Sequence, residues 1–151
     1  MTGIFGSLDI DEIPENPFGL PEATYNGFVA KIDTRLTKND VNKVIFTYEV
    51  DDEDDDQDGN NHQEWLTYYP EMTEEDLNTL PKEEKKRVNR DNSYLKKRFL
   101  SLNIDPKDVD LDNLEAHEGI IIEFTIVENE WEDKVTKETR TGFNLKDVHA
   151  V

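Results

Sequence analysis

Apolar and polar positions alternate in five stretches of the chain. From Tyr25 to Leu36, Phe28, Ala30 and Ile32 share one face and Val29, Lys31 and Asp33 the other, which predicts a long first strand. Val44, Phe46, Tyr48 and Val50 line one side of a second strand, joined to the first through a polar turn at Lys38-Asn39-Asp40. Gln63 to Tyr69 reads as a third, with Trp65, Thr67 and Tyr69 on one face and Leu66 and Tyr68 on the other. The most apolar run is Ile120 to Val127, rich in stiff β-branched side chains. It sets Ile120, Ile122, Phe124 and Ile126 on one face and predicts a hairpin that returns through Thr139 to Leu145 around the charged tip Glu128 to Asp133.

The period changes between the third and fourth strands. Pro70 ends the strand pattern, and Thr73-Glu74-Glu75-Asp76 sets a hydroxyl three residues ahead of a carboxylate, the signature of a capped helix start. Pro81 suits the opening of a second helix. Val88, Tyr94, Leu95, Phe99 and Leu102 then recur at roughly helical spacing up to Asn103 and Pro106, and one further helical turn is expected at Leu111 to Ala116. The order strand, strand, strand, helix, strand, strand predicts an all-β domain with one main helix (β+α). The expected form is a five-stranded OB-fold-like Greek-key barrel with its helix between strands 3 and 4. An open antiparallel sheet packed on one helix is the alternative. Residues 1–23, with five acids, no base and Pro14, Pro17 and Pro21, read as an acidic irregular arm ahead of a single domain over 24–151.

Charge changes the picture. The 151 residues carry a formal net charge of −19, which opposes long-range attraction to nucleic acid unless the bases segregate on one face. Seven of the eight residues Asp51 to Asp58 are acidic, which predicts a solvated loop. Asp54-x-Asp56-x-Asp58-Gly59 matches the front half of a calcium loop, but the twelfth position is Trp65 where a bidentate Glu is required, and no metal site is expected. Seven Lys or Arg against the single acid Asp91 over residues 85–98 make the helix locally basic. It reads either as a solvated face or as a patch for phosphate or an acidic partner. There is no cysteine, no basic opening followed by an apolar run, and no membrane-length apolar stretch, so a cytoplasmic protein off the membrane is expected. His62, His117 and His149 lie at neither metal-ligand nor triad spacing and no Gly-rich phosphate loop occurs, so neither enzyme activity nor a cofactor is expected.

The remaining bases interleave with aromatics. Lys31, Arg35, Lys38 and Lys43 follow the first strand and its turn, Lys134, Lys137 and Arg140 follow the Trp131 tip, and Trp65, Tyr69 and Trp131 are candidate stacking platforms. Single strands are held through such bases and platforms. Trp65 and Tyr69 fit a core equally well, and Trp131 fits a contact or a local clasp.

The frame Pro21-x-x-x-Tyr25-x-Gly27-x-Val29-x-x-Ile32, the central helix, Gly119 before an apolar strand, the polar hairpin and the closing Phe143-Asn144-Leu145-Lys146 resemble small bacteriophage OB-fold single-stranded DNA-binding proteins over about residues 21–148. The resemblance implies single-stranded DNA as the partner, a role in phage DNA replication or recombination alongside proteins of those processes, and the host cytoplasm as location. The chain differs from the bacterial kind in carrying its acidic run in a loop, and it ends Val148-His149-Ala150-Val151. The alternative reading is an acidic interaction module, or DNA mimic, that binds a basic partner protein.

Overall fold

A computed structural model describes residues 20–151; the expected acidic arm lies outside them except for its last four residues. Five antiparallel strands, β1 (Ala23–Leu36), β2 (Asn42–Val50), β3 (Asn61–Thr67), β4 (Ile121–Glu132) and β5 (Thr139–Ala150), form one sheet in the order β3-β2-β1-β4-β5. Between β3 and β4 come α1 (Glu74–Thr79), α2 (Lys82–Ser101) and two short 3-10 segments, Pro106–Asp108 and Leu111–His117. The expected closure into a barrel is not made. The sheet is open, with β3 and β5 at its two edges.

The helix starts follow their sequence signals. Thr73 accepts a hydrogen bond from the Asp76 amide while the Asp76 carboxylate accepts one from the Thr73 amide, a complete capping box. Pro81 stands at the N-cap of α2, just before its first turn, and makes no side-chain capping hydrogen bond.

One inserted residue corrects the face assignment of β1. Val29 opposes Tyr48 and Lys31 opposes Thr47, so Ala30 is a β-bulge. The bulge shifts the parity of the strand. Tyr25, Gly27, Val29 and Ile32 all point inward, and Lys31, Asp33 and Arg35 all point outward. The expected grouping of Phe28, Ala30 and Ile32 therefore fails, because strict alternation was assumed across the kink. On β2 and β4 alternation holds, and Val44, Phe46, Tyr48, Val50, Ile122, Phe124 and Ile126 are all buried. Burying side chains of this size is worth about 1.5–3 kcal/mol each, before the entropy of ordering them. At Gly27, where β1 lies between β2 and β4, a Cβ would sit 2.1 Å from the Glu49 carbonyl oxygen, so only glycine fits.

α2 lies on the inner face. Phe99 meets Phe46 edge-on at 5.5 Å, and Leu102, Ile104 and Leu114 are buried in the same core. Arg98 ties the helix to both edges of the sheet. Its Nε and Nη2 donate to the two Glu64 carboxylate oxygens of β3 at 2.7 and 2.9 Å, and Nη1 reaches the Val148 carbonyl of β5 at 3.4 Å. The Tyr48 hydroxyl donates to the same Glu64 at 2.7 Å. Burial, and then the Glu64 carboxylate, push the Tyr48 phenol well above its usual range. Removing one member of such a shielded pair leaves the other charge uncompensated. Arg98→Met is expected to lower unfolding stability by about 3 kcal/mol in urea, and Arg98→Met with Glu64→Gln to lose less than the sum of the singles. Additive losses would show that the pair contributes nothing as a unit.

Candidate nucleic-acid interface

The outer face of β1, β2 and β3 is built from cross-strand rows. Lys31, Thr47 and Gln63 form one, Asp33, Ile45 and Trp65 the next, and Arg35, Lys43 and Thr67 the third. Four of the ten candidate residues thus share one solvent-facing surface: Lys31, Arg35, Lys43 and Trp65. Trp65 is not a core residue. It is 39% exposed, its neighbour Ile45 is buried, and the Arg35 guanidinium lies 5.3 Å from its ring centroid. Lys38 sits on the β1–β2 turn, where Asp40 takes a positive φ and the Thr37 amide bonds the Val41 carbonyl.

Among the described residues no carboxylate lies within ion-pair distance of Arg35, Lys38 or Lys43. Lys43 instead donates to the Thr67 hydroxyl at 2.7 Å. Lys31 leans on Asp33 at 3.4 Å, an exposed pair of little net strength. These charges remain free to act on a ligand.

Tyr69 lies just beyond β3, turned to α2. Its hydroxyl donates to Asp91 Oδ2 at 2.5 Å. Burial first, then the hydrogen bond to Asp91 and its negative charge, push the phenol up to about 12. It lines a cleft of about 560 Å³ between the β1–β2 turn, the end of β3 and α2, together with Asp40, Lys43, Thr67, Arg87 and Arg90.

The other four candidates stand elsewhere. Ala23 of β1 pairs with Ile126, so the rest of the β4–β5 hairpin, with Trp131, Lys134, Lys137 and Arg140, runs past the end of β1 opposite to Lys38. Trp131 is 51% exposed, and its ring covers Gly142, where a Cβ would meet Cζ3 at 2.8 Å. That is the local clasp, an aromatic lying over a strand glycine. Arg140 is bound at 3.1 Å to Asp133, whose carboxyl is held below its usual range by the Val135 and Thr136 amides and then by Arg140. From Glu128 to Arg140 the tip holds five acids and three bases.

The acidic loop lies toward that same end, since Val50 pairs with Gly27 just before it. Within it Asp58, Asp52 and Asp55 accept from the amides of Asp52, Asp54 and Gln57, so these carboxylates cap their own loop. Among the described residues no group of three or more His, Cys, Asp or Glu is arranged to hold a metal ion, and no helix is long and apolar enough to cross a membrane. Arg87 and Arg90 of the same cleft are not among the ten candidates. The basic run over residues 85–98 was their signal, but which of its bases face the sheet depends on how α2 docks. The chain matches no protein-family model and none of the curated proteins searched.

The Tyr69 phenol loses its proton near 12 when folded and near 10 when free. The stabilisation linked to it is complete below pH 10 and is lost as pH rises toward 12. Tyr69→Phe is expected to flatten that part of the urea-midpoint profile, and Asp91→Asn to bring tyrosinate absorbance in at lower pH. A wild-type profile identical to that of Tyr69→Phe over this range would refute the coupling.

Proposed function

We propose that this protein binds single-stranded DNA on the outer face of β1, β2 and β3, in the manner of an OB-fold protein. The observation that carries the reading is Trp65, half-exposed and stacked by Arg35, on a face where Arg35 and Lys43 make no ion pair and which Lys38 adjoins from the β1–β2 turn, while the acidic loop lies toward the other end of the sheet. Segregation answers the objection raised by a net charge of −19. A polyanion meets cations locally, and aromatic stacking adds affinity that any base can supply. The strand order and the helix between β3 and β4 support an OB-like Greek key left open between β3 and β5, where Arg98 spans the gap. In the OB-fold plan, ligands lie on the face of strands 2 and 3 beside the β1–β2 and β4–β5 loops. We place the protein in phage-type DNA replication or recombination, working in the cytoplasm of the host without enzymatic activity or a cofactor, alongside other proteins of those processes.

The second reading is an acidic interaction module that occupies a basic partner, favoured by the outward exposure of Asp51, Glu53, Asp54 and Asp56.

Fluorescence anisotropy of a labelled oligothymidylate, with a duplex control, separates the two. Salt-sensitive binding to the single strand is expected, with Trp65→Ala weakening it by about 1–3 kcal/mol. Trp131→Ala, at the other end of the sheet and folded onto Gly142, is expected to change it by less. Equal losses from the two substitutions would move the interface away from this face. No binding at low salt would leave the acidic module as the reading to pursue.

A further inference from the structure

Where does a strand go once it leaves Trp65? Lys43 stands where the outer face of the sheet meets the cleft. It shares a cross-strand row with Arg35 on the outer face of the sheet, and it also lines the cleft against α2. Across that cleft stand Arg87 and Arg90, one turn apart on the helix and both exposed. Arg87 makes no ion pair among the described residues. Arg90 pairs with Asp91 Oδ1 at 3.8 Å, and Asp91 Oδ2 accepts from the Tyr69 hydroxyl. The cleft is lined by two carboxylates, Asp40 and Asp91, against three cations, Lys43, Arg87 and Arg90. Its floor is polar and aromatic, with the Thr67 hydroxyl holding Lys43 and Tyr69 held by Asp91.

We propose that this cleft is a phosphate channel that carries the backbone of a bound single strand off the sheet and onto α2. Lys43 passes the strand from the stacking face to Arg87 and Arg90. The chemistry is that of phosphodiester oxygens met by guanidinium forks, which bind such oxygens bidentately. The cleft has room for a sugar-phosphate unit, and no base-reading groove is required. This inference rests on the reading of the outer face as a single-strand site and extends it to residues of the helix.

The test uses the full chain and labelled oligothymidylates from about 4 to about 16 nucleotides, the range of site sizes known for such folds. Binding is measured against salt for wild type, for Arg87→Gln with Arg90→Gln, and for Lys107→Gln with Lys146→Gln, which removes the same charge outside the cleft. The cleft variant is expected to bind the shortest oligomers as wild type does. For the longest ones it should lose affinity about tenfold or more, with the slope of log K against log salt smaller by about 1.4, two phosphates at about 0.7 each. The control pair should leave the slope at its wild-type value. An unchanged slope at every length, with Trp65→Ala still weakening binding, overturns the channel and leaves the sheet face standing. Equal losses at all lengths, or equal losses in the cleft and control pairs, also overturn it, because they report overall charge and not a path. No binding by wild type at any length overturns both. Thermal unfolding of each variant guards against loss of fold, and both arginines are exposed.

Discussion

A single guanidinium, that of Arg98, touches both edges of an open sheet. Glu64 on β3 and Val148 on β5 are otherwise joined only through three intervening strands, yet both bond the same side chain. The arrangement fixes where α2 sits, and with it much else. Phe99, the next residue, is delivered to the Phe46 ring. Asp91, two turns earlier, is delivered to Tyr69. The helix therefore closes the core at one end and walls the basic cleft at the other. An ion pair this shielded has a high desolvation cost, and a well-packed apolar substitute would often hold the helix as firmly. What the pair adds is register, since a forked donor accepts one rotational setting of the helix against the strand.

The legible part of this structure was the part governed by local rules. The presence of all five strands, both helix starts and the turn at Lys38 follow from alternation, capping chemistry and turn residues, although β4 runs on to Glu132 through the expected tip and β5 to Ala150, past the expected Leu145. The failures share one cause. A bulge, a sheet left open and the choice of which helix bases face the sheet are decided by contacts between segments far apart in sequence. Ala30 carries nothing in its identity that marks it as the extra residue. β3 has seven residues, and nothing in them says whether its outer edge meets β5 or a helix. For the candidate site, the pairing of bases with aromatics was visible. Its division into Trp65 on a basic face and Trp131 over Gly142 at the acidic end was not, because the two belong to different hairpins. Tyr69 was ambiguous for a related reason, since its partner, Asp91, lies on the helix.

The two ends of the molecule differ electrically more than its composition suggests. One end holds the loop of Asp51 to Asp58 and the mixed tip of the β4–β5 hairpin, and the other holds Lys38, Lys43, Arg87 and Arg90. A chain this acidic resists non-specific association with polyanions, and at the cleft the three cations Lys43, Arg87 and Arg90 outnumber the carboxylates Asp40 and Asp91. High net charge and a selective anion site are therefore compatible, provided that the fold keeps them apart.

The bulge at Ala30 is a place where β1 can lose a residue without turning a face over. Val29 opposes Tyr48 and Lys31 opposes Thr47, so a chain lacking Ala30 would pair as a regular strand, with Val29 and Ile32 still inside and Lys31 and Asp33 still outside. A residue lost from the regular stretch between Lys31 and Arg35 has the opposite effect, because every position beyond the loss turns to the other face. The length of this strand is thus constrained by parity along its regular stretches and tolerant at its kink, much as a loop absorbs a lost residue as slack.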